Sequence, residues 1–504
     1  MFQRGSVWSM AGWCLVVLLG VELAFSTSSS QQWVYSATKD WPQGTFDNTV
    51  FDGRQVQLQS GVRMGWQLQL PQLNGPARGL TLDVQGNLVI SGYSQRPNSD
   101  KIHLIKCTPD GRVLWERLQE LGPSSRAMGI ASDRQGNLYV AGYSWNNGYD
   151  YQLLKLNGQG LPLWQQRYSS GGQDQAQAVA VDSNGFAVVA GNSTLHGADV
   201  LTLMYDPSGR LLWEQRFDGE DSDWAGGVAI SPAGEIYVAG SSIVGGQKDL
   251  LLLKYNASGQ LLWKRQLDFG REDVATSVAV SDSGNVLVGG YTETQSQSDM
   301  LVLVADAAGQ IVWSRKQNLS AQDRVFGVTW DPQENALVTG SALNHDVEAI
   351  HTLKFDKDGA TLWVQGEPTS VSARGYAIKT DALGQIYVTG VEGTGYRTIH
   401  YRDGFMPQGT FQTQSHRFSS QVRFKTLGVD VQLGGQNLVT VVESSNDDFR
   451  TLSGSVRIKL LPGQTHYSLR GLGAGSAVRV RFVFSSNSPR QSPSFNGFTI
   501  TASN

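Results

Sequence analysis

A glycine that ends a short apolar run recurs seven times, at Gly92, Gly142, Gly191, Gly240, Gly290, Gly340 and Gly390. The spacings are 50, 49, 49, 50, 50 and 50 residues. A tryptophan keeps the same beat at Trp115, Trp164, Trp213, Trp263, Trp313 and Trp363. So regular a period restricts the chain to a repeat architecture built from one unit of about fifty residues.

One copy reads as four strands. In the third, Ala178–Val181 is a short apolar run and "DSNG" at Asp182–Gly185 is a hairpin turn, with glycine supplying the positive φ. Phe186–Ala190 follows, then a polar loop, Val200–Tyr205, the turn "DPSG" and Leu211–Phe217. Hairpins at this spacing make a twisted antiparallel sheet that cannot bury both faces alone. Stacking seven such sheets around an axis buries them, which predicts an all-β, seven-bladed β-propeller. The last copy lacks its "LW" strand, and "VRMGWQLQL" (Val62–Leu70) carries Trp66 at 49 residues before Trp115. Residues 63–70 are therefore expected to close the ring as the outer strand of the last blade, sparing it a long unpaired edge.

Composition agrees with this fold and narrows the function. Charged residues make up 17% of the 504, and there are 58 glycines, as many tight turns require. With 40 basic and 44 acidic residues the net charge is −4, so no basic surplus exists to neutralise phosphates, and nucleic acid is not an expected partner. Residues 1–26 read as an export signal peptide: Arg4, an apolar stretch from Val7 to Phe25, then small residues at the cleavage positions, with an uncleaved membrane anchor as the alternative. The expected location is secreted or periplasmic, with no membrane span after cleavage. Cleavage leaves Cys107 as the sole cysteine, so no internal disulfide can form.

Repeated residues read as frame. The tryptophans fall at one point of one strand, where blade packs on blade. Two aspartate files, Asp100, Asp150, Asp199, Asp249, Asp299 and Asp174, Asp223, Asp273, Asp323, suit turns that join blades. A sharper reading makes them an acidic arc that binds a cation. Residues that break the repeat are better ligand candidates. In the loops after the second strand, Trp145, Asn146, Asn147 and Tyr149 combine aromatic faces with amides, a pairing suited to sugar rings, and His196, His345 and Asp346 are the other reactive side chains. The sequence assigns no catalytic residue, metal ligand or cofactor.

The copies resemble the bacterial seven-bladed β-propeller repeat families, whose signature is matched at Val179–Ser193 and Ser277–Thr292, over about residues 63–408. "DPSGRLLW" (Asp206–Trp213) also resembles the tryptophan-docking repeat of pyrroloquinoline quinone propellers, but those enzymes carry an adjacent cysteine pair that this chain lacks. The resemblance implies an exported scaffold or binding protein.

Beyond Gly409 the grammar changes. Strand-like runs at Val422–Leu427, Asn437–Ser444, Gly454–Leu460, Thr465–Leu472, Ala477–Ser485 and Gly497–Ala502 predict a C-terminal β-sandwich over residues 409–504, loosely similar to jelly-roll modules. "GTFDNTVFDGRQVQLQ" (Gly44–Gln59) echoes "GTFQTQSHRFSSQVRFK" (Gly409–Lys425), so the extension at 27–62 is expected to dock on that sandwich. The sequence as a whole reads as an exported, monomeric, non-catalytic binding or scaffold protein whose partner is carbohydrate or a surface protein. The alternative is a lyase or glycosidase acting on polysaccharide, which needs a facing pair of carboxylates or a Tyr/His pair.

Overall fold

The structure is a computed structural model. It describes residues 24–25, 30–36, 45–47, 49–51, 56–58, 60–95, 99–195, 197–344, 347–405, 408–413, 415–433, 436–447, 449–485 and 494–503. The expected leader at 1–26 falls almost wholly outside them. The chain divides into two compact units, residues 62–402 and residues 1–61 with 403–504. Among the described residues no helix is long and apolar enough to cross a membrane.

The first unit is a seven-bladed propeller of four-stranded antiparallel sheets. The third blade, with strands Asp174–Val181, Ala187–Ser193, Asp199–Tyr205 and Leu211–Phe217 from the axis outward, is typical. The second and third strands carry the buried apolar residues, while the outermost alternates. Ser60–Leu70 completes the last blade outside Gly395–Phe405, as the N-terminal tryptophan foretold. The ring is thus closed by hydrogen bonds between the two ends of its own sequence.

The tryptophans bind each blade to the next. Trp164, Trp213, Trp263 and Trp313 each donate their indole N–H to a carbonyl in the following blade's outer turn, at Pro207, Ala257, Ala307 and Lys357, over 3.0–3.3 Å. Trp66 does the same across the closure, to Pro109 at 2.9 Å. A turn glycine of positive φ lies under each ring, at Gly209, Gly259, Gly309, Gly359 and Gly111, where a Cβ would come within 2.7–3.1 Å of a neighbouring side chain, in most cases the indole. Most of these indoles remain half-buried, so they stabilise by stacking and hydrogen bonding as well as by area.

Buried lysines form a second link between blades. Buried Lys106, Lys155 and Lys254 donate to carbonyls of the next blade at Gly158, Pro207 and Ala307. Lys106, Lys254 and Lys354 also pair with Asp83, Glu235 and Asp331 in their own blades at 2.6–2.8 Å. The same turn aspartates cap the hairpins: Asp83 Oδ1 accepts the N–H groups of Gln85 and Asn87.

The second unit is a sandwich-like β-structure around one apolar core that includes Phe411, Phe424, Leu438, Phe482, Phe484 and Phe498. The long strand His416–Gln432 joins its two layers. Its first part pairs with Gly475–Ser485, its remainder with Ser494–Ser503. Strands from the start of the chain belong to the same sheets: Ser30–Ser36 pairs with Ser494–Ser503, and Thr45–Asp47 with Gln408–Gln412. The expected run Thr465–Leu472 is a strand only at His466–Ser468, and Gly497–Ala502 extends to Ser494–Ser503.

Candidate functional site

The seven periodic glycines have a shared cause. Each lies opposite the point where the innermost strand bulges by one residue. At Gly142, Gly240, Gly290, Gly340 and Gly390 a Cβ would lie 1.8 Å from a carbonyl oxygen of that strand. Only glycine lets the inner strand fold down so closely. The bulge leaves one residue per blade out of the ladder: Arg78, Met128, Gln177, Gly226, Thr276, Phe326 and Tyr376.

These seven residues line one cavity of about 250 Å³ in the axial channel, together with Trp224 and Ser241 among others. A repeated frame therefore presents a different residue from every blade to a single space. Arg78 is the one charged side chain of the lining. Its guanidinium carbon lies 4.0 Å from the centroid of the Tyr376 ring, which in turn packs against Phe326 at 5.2 Å. Arg78 Nε is buried without a hydrogen-bond partner among the described residues, and no carboxylate lines the cavity. Toward the other end of the inner strands the channel widens to about 710 Å³, lined by Thr81, Ser132, Asp282, Trp330 and Lys379 among others. Burial lowers the pKa of Lys379.

The loop candidates Trp145, Asn146, Asn147 and Tyr149 come together in one tight hairpin of the second blade, where Trp145 pairs with Tyr149. Asn147 takes a positive φ of 58° at its tip. The Tyr149 ring stands edge-on to Trp145 at 5.0 Å and to Tyr143 at 5.1 Å. Trp145 is 43% exposed and so offers an open aromatic face. Asn146, with its amide oxygen turned to the guanidinium, accepts from Arg167 at 3.2 Å, a structural use of that amide. His196, His345 and Asp346 lie outside the described residues.

The aspartate files hold the blade junctions. Asp174, Asp223, Asp273 and Asp323 are fully buried and each accepts a backbone N–H from the link before it. In the other file Asp100, Asp150 and Asp199 pair with Arg126, Arg167 and Arg216. One junction departs from this pattern: Asp249, Asp268 and Asp273 bring carboxylate oxygens within 4.8 Å of one another. Burial, then the charges of Asp268 and Asp273, raise the pKa of Asp249.

The bulge residues differ from copy to copy inside a regular strand, so neither the recurring positions nor the variable loops mark them. A signal was present: in "ARG", "AMG", "AQA", "AGG" and "ATS" the middle position varies widely in size and charge while the residues on either side stay small.

A β-propeller repeat model, SBBP, matches residues 122–150, and a β-propeller domain of unknown function, DUF5122, matches residues 232–261. These matches agree with the resemblance carried by the repeat itself. No curated protein sequence matches. Among solved structures, the chain is similar to the WD40 propeller domain of Doa1, at 12% identity and TM-score 0.47, covering 68% of this chain and 97% of that one. It is similar to virginiamycin B lyase from Staphylococcus aureus at 12% identity and TM-score 0.45, covering 67% and 99%. A gluconolactonase from Xanthomonas campestris matches at 14% identity and TM-score 0.32, covering 68% and 99%. Likenesses this distant carry nothing about activity.

Proposed function

We propose that this protein is an exported, non-catalytic binding protein whose axial cavity takes an acidic sugar unit of a glycan. The observation that carries the reading is Arg78: a half-buried guanidinium without an ion pair among the described residues, lining a cavity walled by Tyr376, Phe326 and Trp224 and free of carboxylates. A ligand carboxylate would supply the missing counter-charge through charge-assisted hydrogen bonds, worth about 1.5–3 kcal/mol. Flat aromatic walls suit the apolar faces of a sugar ring, and a cavity of about 250 Å³ suits one ring rather than a chain. A longer glycan would extend toward loops of the same half of the ring, where the exposed Trp145 face stands.

The test is calorimetry on the intact protein with matched neutral and uronate oligosaccharides. Binding is expected for the uronates, and Arg78→Met is expected to weaken it about 10- to 100-fold, the worth of one charge-assisted contact. Equal binding of neutral sugars, or unchanged affinity in the variant, would refute the assignment. Depolymerisation of the glycan during the titration would make the protein an enzyme instead.

A further inference from the structure

We propose that Asp249, Asp268 and Asp273, at the junction of the fourth and fifth blades, hold a calcium-class divalent cation. This site is separate from the axial cavity and independent of the glycan reading.

The repeat supplies internal controls. In the second and third blades the aspartate that opens the third strand is neutralised by an arginine on the outer strand, Arg167 for Asp150 and Arg216 for Asp199. In the fourth blade the same ladder position holds Gln266, which donates to Ser242 and leaves Asp249 without a cation. At the junctions entering the third and sixth blades, the buried aspartate also receives a serine hydroxyl, Ser170 to Asp174 at 2.8 Å and Ser320 to Asp323. The link before Asp273 has no such hydroxyl. It runs Asp268, Phe269, Gly270, and it adds a third carboxylate.

The arrangement leaves oxygen atoms unused. Asp273 is fully buried; its Oδ2 accepts the N–H groups of Phe269 and Gly270, yet its Oδ1 has no partner among the described residues. The hydroxyl of Thr292, 1% exposed and directly across the ladder from Asp273, is likewise unpartnered. A Cβ on Gly270 would lie 2.6 Å from Thr292 Oγ1 and 3.9 Å from Asp273 Oδ1, so both orphans border the same small space. Among the described residues none of the three carboxylates has a salt bridge; nearby Lys316 donates to the Phe269 carbonyl instead. Asp223 has an orphaned oxygen too, but there Asp199 is already paired with Arg216, and no three-carboxylate cluster forms. Hard oxygen donors with no histidine or thiol favour calcium over zinc, and a site at a loop junction suits its flexible coordination.

The experiment is calcium titration of the intact protein by calorimetry, with thermal melts in chelator and in millimolar calcium. Wild type is expected to bind calcium and to melt higher with it. Asp249→Asn is expected to weaken calcium binding about tenfold or more, and to raise the melting temperature in chelator because it removes mutual repulsion. Asp268→Asn, at an exposed position, repeats the binding test should the first variant fold poorly. Asp299→Asn, the counterpart in the next blade, should leave calcium binding unchanged. Absence of calcium binding in wild type, or wild-type affinity in a folded Asp249→Asn or Asp268→Asn, would overturn the site.

Discussion

Replacing Gly290 by alanine asks whether the periodic glycines exist for the bulge. Gly290 needs no unusual backbone angle, but its Cβ would sit 1.8 Å from the Val274 carbonyl oxygen, against 3.4 Å for ordinary contact. The inner strand would have to retreat by about 1.6 Å, pulling on Thr276, whose hydroxyl donates to the Gly289 and Val325 carbonyls. Overpacking costs about 1–3 kcal/mol, and a clash with backbone that cannot change rotamer belongs at or above the upper end. Gly284, in the hairpin turn of the same blade, is the control. It has φ +89° and open space around its Cβ, so alanine there meets only the left-handed strain of about 1–2 kcal/mol. Urea denaturation followed by tryptophan fluorescence should rank Gly290→Ala as the more damaging by about 1–2 kcal/mol. Equal losses, or a milder effect at Gly290, would refute the bulge as the reason for the glycine.

Three further outcomes follow from named contacts. Gly259→Ala should destabilise more than Gly284→Ala, because its Cβ would meet the Trp213 ring at 2.7 Å; Trp213→Leu should abolish the difference in a double-mutant cycle. Burial holds His400 and His416 neutral, with pKa values lowered to about 4. The unfolded chain binds those protons near pH 6.5, so this stability is fully present above 6.5 and is lost as pH falls through 4. Thermal melts across that range should show the decline, and His400→Gln should flatten part of it. Cys107 is buried with its thiol pushed up to about 12, so a thiol reagent should label it only after unfolding, and rapid labelling of native protein would contradict the packing.

Much of the propeller was legible because its determinants are periodic and local. A turn glycine, a strand-ending glycine and a tryptophan in each copy specify hairpins and their stacking, and Trp66 betrayed the closing strand. The lysine–carboxylate pairs were harder, since Lys106, Lys155, Lys254 and Lys354 skip the blades where Met204 and Val304 take the same place. In the second unit the pairing of Ser30–Ser36 with Ser494–Ser503 joins opposite ends of the chain, and no local pattern encodes it. The site was hidden for a different reason. Trp145 and its neighbours stand out in sequence as an irregular loop, whereas Arg78 sits inside a regular strand and reaches the axis only through a bulge. A one-residue bulge is a ladder property and leaves no mark in apolar alternation.

The measurement closest to the central claim is the affinity of the intact protein for a uronate oligosaccharide, compared between wild type, Arg78→Met and Trp145→Ala. If the bulge residues form the binding site, Arg78→Met weakens binding about tenfold or more and Trp145→Ala has the smaller effect. Wild-type affinity in Arg78→Met, with the loss falling on Trp145→Ala, would move the site from the axis to the loop face.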